Sequence, residues 1–329
     1  MEIQLPHRFD RDELAPFFRA LDATINEPTV IVDFSPLTYS FPTAMLVAGS
    51  KLRKWVQDRK LRGHRSFPRG VDQTKTVHSY LMHLGFFDFI YMSEGNRIGQ
   101  AQGSARYLPI MRIEFPRYDP HVITLAEWHR LITERSRELA GVLVGSHDDS
   151  EELRTYTYSI REIIRNVFEH SHATECYICG QRWMYGRAEI AIIDEGCGIA
   201  RTIESAYRIE DDAHALRTAL LPGASRINAL PEDQNIYGNS GFGLYVLSNL
   251  AASFGWFAIG SGNARVIGYN NTTRQVEPFS FSGTFFGMRL NKQPRNFRAV
   301  LEEIIAVGEA ESGAAGIRKR ASGFSRLAD

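Results

Sequence analysis

Apolar positions in the first part of the chain follow first a strand pattern and then two helix patterns. Residues 29–34, TVIVDF, form a short run of mostly β-branched residues that includes an Asp, which predicts a buried strand. Over residues 44–59 apolar side chains recur at helical spacing with Lys and Arg between them, and residues 76–84 repeat the pattern. This order of strand, loop, helix and helix predicts a small α/β unit over residues 1–121.

Residues 95–121 lose this periodicity and are rich in Gly, Pro and Arg, so we place a domain boundary at their end. A long helix is predicted just after it, at 124–144. Thr124 is its expected N-cap, and Glu127 three residues later would complete a capping box. A second long helix is predicted at 150–170, with Ser150 as its N-cap.

The second half of the chain predicts a mixed α and β domain over residues 122–292. Its further predicted elements are, in order, strands at 176–184 and 187–194, a helix at 242–254 and a strand at 284–290. Residues 200–240 mix short helical stretches with Pro and polar turns, and such a long connection is usually functional or disordered. Residues 293–329 predict a C-terminal helix and a flexible tail with four basic residues, Arg318, Lys319, Arg320 and Arg326.

Length and charge narrow the class of protein. At 329 residues the chain exceeds the usual size of one hydrophobic core, which favours two domains. Lys plus Arg and Asp plus Glu both total 38, so bulk charge does not indicate a nucleic-acid partner. Three cysteines are too few for a disulfide framework, and no apolar run approaches the ~20 residues of a membrane span. We therefore expect a cytoplasmic protein with no membrane partner.

The first candidate motif lies on the second long helix. Glu162 and Asn166 are four residues apart, so they share one face of this helix among apolar neighbours. A buried carboxylate or amide without a partner is costly, so the two side chains either satisfy each other or bind something. An Asn oxygen suits Mg²⁺, and a Glu can accept a proton from water. Arg161 and Arg165 bracket this pair and could screen phosphate charge or face water.

The second motif, Asp194-Glu195-Gly196-Cys197-Gly198, directly follows a predicted strand. An Asp at a strand end can accept a hydrogen bond from an exocyclic amine, and the two glycines let a flat ring approach the backbone. A tight turn without a ligand would have the same pattern.

The third motif, Gly238-Asn239-Ser240-Gly241-Phe242-Gly243-Leu244, leads straight into a predicted helix. Backbone N–H groups at a helix N-terminus form an anion site that suits phosphates. The spacing matches neither the P-loop nor the Rossmann fingerprint, and a simple turn remains the alternative.

Together with a strand that opens with Gly283-Thr284, these motifs resemble in their order those of the GHKL ATPase superfamily. That superfamily includes gyrase, Hsp90, histidine kinases, MutL and the anti-sigma serine kinases. Its N box corresponds to Glu162 and Asn166, its G1 box to residues 194–198 and its G2 box to residues 238–244. The resemblance covers about residues 122–292 and implies a two-layer α/β sandwich of the Bergerat type.

The resemblance implies ATP and Mg²⁺ as ligands. Asn166 would bind the Mg²⁺, and Glu162 would orient or deprotonate the attacking water or hydroxyl. Asp194 would accept from the adenine amino group, with Thr284 near the same ring. The other implied nucleotide-binding residues come from the two glycine motifs: Gly196, Gly198, Gly238, Gly241, Phe242, Gly243 and Leu244. Residues 200–240 would form a lid over ATP. His170 is similar in position to a His of many kinase-like members; the alternative is that it simply caps the C-terminus of its helix.

The N-terminal unit resembles the STAS domain of anti-sigma factor antagonists in the stretch TVIVDFSPLTYSFPTAMLVAGSKLRKW. In place of that family's Asp-Ser-Ser-Gly loop this sequence has Phe41-Pro42-Thr43-Ala44. Thr43 would stand at the phosphoacceptor position but lacks the Asp and Gly neighbours. The sequence leaves open a phosphorylated switch and a purely structural module.

Three functions follow from the resemblance. The first is a regulator that binds and hydrolyses ATP, so that the nucleotide orders the lid and alters contact with a protein partner. The second is a serine/threonine kinase of the anti-sigma type that acts on a STAS-like partner. The third is an interaction module that binds ATP without turning it over. A homodimer is compatible with all three, since many relatives dimerise.

Overall fold

The computed structural model describes residues 1–104, 106–114, 118–229, 235–271, 273–314 and 320–326. The N-terminal part contains β1 (Glu2–Gln4), β2 (Arg8–Phe9), α1 (Leu14–Ala23), β3 (Thr29–Asp33), β4 (Tyr39–Ser40), α2 (Pro42–Leu61), β5 (Arg65–Arg69), α3 (Thr76–His83) and α4 (Phe86–Phe89). Strands β1, β3 and β5 form a parallel sheet in the order β1-β3-β5, and β2 pairs with β4. The predicted strand and both predicted helices of this part are confirmed within two residues at each end.

The rest of the chain is built on an antiparallel sheet of five strands, in the order β6-β7-β8-β10-β9. These strands are β6 (Tyr107–Glu114), β7 (Glu175–Arg182), β8 (Ala188–Asp194), β9 (Gly255–Tyr269) and β10 (Thr273–Leu290). The helices are α5 (Leu125–Val144), α6 (Glu151–His170), α7 (Ile199–Ile203), α8 (Asp212–Ala219), α9 (Gly243–Phe254), α10 (Phe297–Ala314) and α11 (Gly323–Arg326). The fold is therefore mixed α and β, and none of the described helices is long and apolar enough to cross a bilayer.

Helices α5 and α6 begin where their capping residues predict. Thr124 Oγ1 accepts from the Glu127 backbone N–H at 3.2 Å, and Glu127 Oε2 accepts from the Thr124 N–H at 3.1 Å. Ser150 Oγ accepts from the Leu153 N–H at 3.1 Å, which fixes the start of α6. Caps of this kind satisfy N–H groups that the first turn of a helix leaves without partners.

Both faces of the five-stranded sheet are covered, so the sheet lies at the centre of three layers. Strand β8 is buried at every position. Its side chains alternate between two cores: Ile190 and Ile192 pack with α5 and α6, whereas Ala191 and Ile193 pack with α1 and α2. The extra layer is the N-terminal unit, whose helix α2 lies across β7 and β8. A strand buried on both faces carries the continuous apolar run seen here.

Strand β6 lies before the boundary that the sequence suggested at residue 121, yet it is an edge strand of the five-stranded sheet. It pairs with β7 from Tyr107 to Glu114, with an irregularity in register between Leu108 and Met111. Pro109 falls at this irregularity. An edge strand tolerates a proline and a bulge, and both weaken the alternating pattern that identifies a strand in a sequence.

The described part of the C-terminal tail packs on the rest of the protein, in contrast to the flexible tail that we predicted. Ala321 donates its N–H to Glu309 Oε1 at 2.9 Å. Tyr158 of α6 donates its hydroxyl to the Ser325 carbonyl at 3.3 Å, and Ser325 is buried. Two basic residues of the predicted tail lie outside the described residues, Arg318 and Lys319.

Candidate functional site

A cavity opens between α6, the start of α9, the end of β8 and the part of β10 that pairs with it, and its volume is about 1020 Å³ when the adjoining open solvent is counted. Seven of the predicted site residues line it: Glu162, Asn166, Asp194, Gly241, Gly243, Leu244 and Thr284. Residues from distant parts of the sequence therefore meet around one space.

Four predicted residues do not line the cavity, namely Gly196, Gly198, Gly238 and Phe242. Gly196 and Gly198 shape the turn after β8 instead. A Cβ at Gly196 would lie 2.2 Å from the Ser171 carbonyl oxygen, and Gly198 has a φ of +80°. Phe242 is fully buried in an apolar cluster with Tyr158, so its side chain supports α9 and does not face the cavity.

Helix α6 carries the polar face of the cavity. Asn166 lines the space, and among the described residues its side chain has no hydrogen-bond partner. The amide oxygen is therefore available to a ligand, and it is a hard oxygen donor of the kind that Mg²⁺ prefers.

Glu162 is buried and ion-paired. Its Oε1 lies 3.3 Å from Arg161 Nε and 3.2 Å from Arg165 Nη1. Its Oε2 faces Gly243 at the start of α9, where a Cβ would approach to 2.4 Å. The carboxylate thus lies at the N-terminus of α9, where the helix dipole also favours a negative charge.

Arg165 links Glu162 to a second acid on the same helix. Its Nε lies 2.8 Å from Glu169 Oε1, and its Nη2 donates to Asn239 Oδ1 at 3.1 Å. Burial raises the pKa of Glu169 to about 7, against the opposing effect of Arg165. The network connects the glycine motif to α6 through Asn239.

Asp194 ends β8 at the other end of the cavity. It is buried, and its Oδ1 accepts from the Gly196 N–H at 2.9 Å. Thr284 of β10 is its direct partner in the antiparallel register. Burial raises the pKa of Asp194 to about 7, so the carboxyl group changes its charge near neutral pH.

The third motif forms a tight turn into α9. Gly241 has a φ of +78°, and a Cβ there would lie 2.6 Å from the backbone of Gly223. Gly223 donates its N–H to the Gly241 carbonyl at 3.2 Å, which ties the turn to the 200–240 segment. The first turn of α9 leaves backbone N–H groups without partners inside the helix, and Gly243 and Leu244 of this turn line the cavity.

The lining also includes residues that the sequence analysis did not single out, among them Arg226, Asn239, Ser240 and Ser325. Asn239 and Ser240 lie within the third motif, so the sequence pattern already pointed to their part of the chain. Arg226 lies in the long irregular segment and donates from Nη2 to the Glu169 carbonyl at 2.9 Å. No sequence pattern pointed to Arg226 or Ser325, because both reach the cavity only through the folding of long connections.

His170 lies at the end of α6 and lines the cavity. Burial lowers its pKa to about 3, with a further contribution from Arg226, so the imidazole is neutral at physiological pH. Its Nε2 lies 3.5 Å from Asn239 Nδ2. A neutral ring at a helix C-terminus does not add the favourable charge that a cationic cap would bring.

Thr43 lies away from the cavity, at the start of α2. It is fully buried against the five-stranded sheet, and its N–H donates to Glu189 Oε1 at 2.9 Å. Arg289 forms an ion pair with the same glutamate. A phosphoryl donor cannot reach the Thr43 hydroxyl in this arrangement.

Helix α2 does contact the turn after β8. Glu195, the residue that follows Asp194, accepts from Ser50 Oγ at 3.0 Å and lies 3.3 Å from Arg53 Nη2. The N-terminal unit therefore adjoins the Asp194 end of the cavity.

The described residues contain no group of three or more His, Cys, Asp and Glu that could hold a metal ion. Comparison of the chain with family models, with curated proteins and with solved structures finds no match. The interpretation of the site therefore rests on its own geometry.

Proposed function

We propose that the chain is an ATP-binding regulatory protein of the GHKL type, with a STAS-like N-terminal unit. The observation that carries this proposal is the meeting of three motifs around one cavity. Glu162 and Asn166 of α6, Asp194 and its partner Thr284, and the turn that contains Gly241 all line this space.

The cavity offers different chemistry at its two ends. At one end the buried Asp194 presents a hydrogen-bond acceptor suited to the amino group of adenine. At the other end the start of α9 presents backbone N–H groups suited to phosphates. Arg226 adds positive charge to the lining of the cavity. ATP carries both complementary groups.

Asn166 fits a magnesium site that is completed by the ligand. Mg²⁺ in such sites is usually held by one or two protein oxygens together with phosphates and water. Bound there, the ion would offset the negative charge of the phosphates. Within the described part of the chain, Asn166 has no hydrogen-bond partner that would compete for its oxygen.

Glu162 would orient or deprotonate the water that attacks the terminal phosphate. Its place against Gly243 brings the carboxylate to the start of α9. The 200–240 segment, with α7 and α8, would close over the nucleotide, and residues 230–234 of this segment lie outside the described residues. Nucleotide-dependent ordering of this segment would then change contacts with a protein partner.

The test compares wild type with two single variants in a nucleotide-binding assay and a phosphate-release assay. We expect Asn166→Ala to abolish Mg²⁺-dependent ATP binding. We expect Glu162→Gln to keep binding and to lower phosphate release about 100-fold or more, as removal of a general base does. An absence of adenine-nucleotide binding by the wild-type protein would refute the proposal.

A non-hydrolysing ATP sensor is the second candidate, and the ion pairs of Glu162 favour it. Arg161 and Arg165 both occupy hydrogen-bonding positions of the Glu162 carboxylate, which leaves fewer of them for an attacking water. Equally low phosphate release from wild type and Glu162→Gln, with tight ATP binding in both, would identify the sensor. A kinase that acts on a STAS-like partner would instead show transfer of label from ATP to protein.

A further inference from the structure

The C-terminal segment, residues 320–326, places a serine hydroxyl inside the candidate nucleotide cavity. Ser325 lines the cavity together with Glu162 and Gly243, and it is only 3% exposed. Its Oγ lies 3.3 Å from Ser240 Oγ in the glycine turn and 3.2 Å from Ser322 Oγ. A nucleophilic side chain thus lies next to the turn that suits phosphates.

Ser325 lies at the Glu162 end of the cavity and not at the Asp194 end. Its carbonyl accepts from Tyr158, which is one turn from Glu162 on α6. Asp194 lies near Ser171, just beyond the other end of α6. At a rise of 1.5 Å per residue, the nine steps from Glu162 to Ser171 correspond to about 13.5 Å along the helix axis. Ser325 therefore lies where the end of a triphosphate would point if the base were at Asp194.

The segment is held in place by contacts outside the cavity. Ala321 donates its N–H to Glu309 Oε1 at 2.9 Å, and Arg326 forms an ion pair with the same carboxylate. The Ser325 N–H donates to Ser322 Oγ at 3.3 Å. These contacts orient the Ser325 hydroxyl, and such positioning lowers the entropic barrier of a group transfer.

We propose that Ser325 is a phosphoacceptor of this protein and receives the γ-phosphoryl group of ATP within the same chain. This inference rests on the proposed function and deepens it, since it names the acceptor. A bond forms between Ser325 Oγ and the γ-phosphorus, while the bond from that phosphorus to the β–γ bridging oxygen breaks. ADP leaves with the electron pair of the broken bond. The hydroxyl proton passes to the Glu162 carboxylate and then to solvent.

The experiment incubates the full-length protein with Mg²⁺ and γ-labelled ATP and locates the label by tandem mass spectrometry. We expect the label on Ser325 at up to one phosphoryl group per chain, with an initial rate per molecule that does not depend on protein concentration. Glu162→Gln should lower that rate about 100-fold or more. Ser325→Ala should abolish the label, whereas the matched variant Ser312→Ala, which removes a buried hydroxyl of α10 outside the cavity lining, should retain it.

Separate measurement of ATP binding distinguishes the two proposals. If the wild-type protein binds ATP but carries no label on Ser325, the phosphoacceptor is refuted and the nucleotide site is not. A rate per molecule that rises with protein concentration would refute transfer within one chain. If the protein binds no adenine nucleotide at all, both proposals fail. Because the wild-type protein alone decides these outcomes, the test does not depend on the folding of Ser325→Ala.

Discussion

Thr284 lies directly opposite Asp194 in the antiparallel register of β10 and β8. Two residues far apart in the sequence thereby form one end of the cavity, with the Asp194 carboxyl buried between strand and turn. A buried acceptor in this position discriminates between ligands by the hydrogen bond that it accepts.

We expect Asp194→Asn to weaken adenine nucleotides more than guanine nucleotides. The Asn amide can place its N–H donor toward the adenine amino group, so the charge-assisted hydrogen bond of the carboxylate is lost. A hydrogen bond of this kind contributes roughly 1.5–3 kcal/mol, or about 10-fold to 100-fold in affinity. Isothermal titration with ADP and GDP measures the difference. An equal loss for both nucleotides would show that Asp194 does not read the base.

The same residue predicts a pH dependence of stability in the nucleotide-free protein. Its pKa is raised to about 7 from 3.8, so between these values the folded protein holds a proton that the unfolded chain has lost. The stabilising effect of this proton is present at low pH and disappears as the pH rises through about 7. Asp194→Asn is neutral at every pH, so it should gain stability relative to wild type between about pH 5 and about pH 8.

Chemical denaturation of both proteins at the two pH values measures this change. Glu169, whose pKa is also raised to about 7, is present in both proteins, so the comparison isolates Asp194. A constant difference in the free energy of unfolding across this range would contradict the raised pKa.

Gly243→Ala should impair phosphate release through Glu162. The new Cβ would lie 2.4 Å from Glu162 Oε2, so the carboxylate must move. A displacement of about 1 Å can cost about 100-fold in rate, whereas ATP binding should change much less. Gly313→Ala is the matched control, because a Cβ there meets no atom within 4 Å. Wild-type phosphate release by Gly243→Ala would show that the position of Glu162 is not critical.

The ion pair between Arg53 and Glu195 should couple the N-terminal unit to nucleotide affinity. The two side chains are 15% and 39% exposed, so a double-mutant cycle on stability should give less than about 1 kcal/mol. Arg53→Gln should nevertheless weaken adenine nucleotides, because Glu195 directly follows Asp194. Removal of the more exposed pair of α10, Arg298 and Glu302, is the control and should leave affinity unchanged. Equal affinities for Arg53→Gln and wild type would exclude the coupling.

The folded protein should tolerate the loss of the Thr43 hydroxyl, but it should not tolerate a charged side chain at this position. The hydroxyl is buried and has no partner among the described residues, so Thr43→Val should leave the free energy of unfolding within about 1 kcal/mol of wild type. Thr43→Glu would bury a second carboxylate near Glu189 and should destabilise by several kcal/mol. Thermal and chemical unfolding measure both, and a stable Thr43→Glu protein would reopen the phosphorylated switch.

The sequence alone determined those features that depend on neighbouring residues. The capping box of Thr124 and Glu127 and the Ser150 cap predicted where α5 and α6 begin, because these bonds are local. The shared face of Glu162 and Asn166 followed from the period of a helix in the same way. The nearly continuous apolar run of β8 is likewise typical of a strand that is buried on both faces.

The tertiary structure alone decided which distant segments meet. Strand β6 joined the five-stranded sheet although Pro109 and the register irregularity obscure its pattern, because an edge strand needs only one neighbour. The burial of Thr43 and the arrival of Ser325 in the cavity depend on packing between parts of the chain that lie far apart. No local pattern encodes such contacts, since they are selected by the free energy of burying complementary surfaces in the whole molecule.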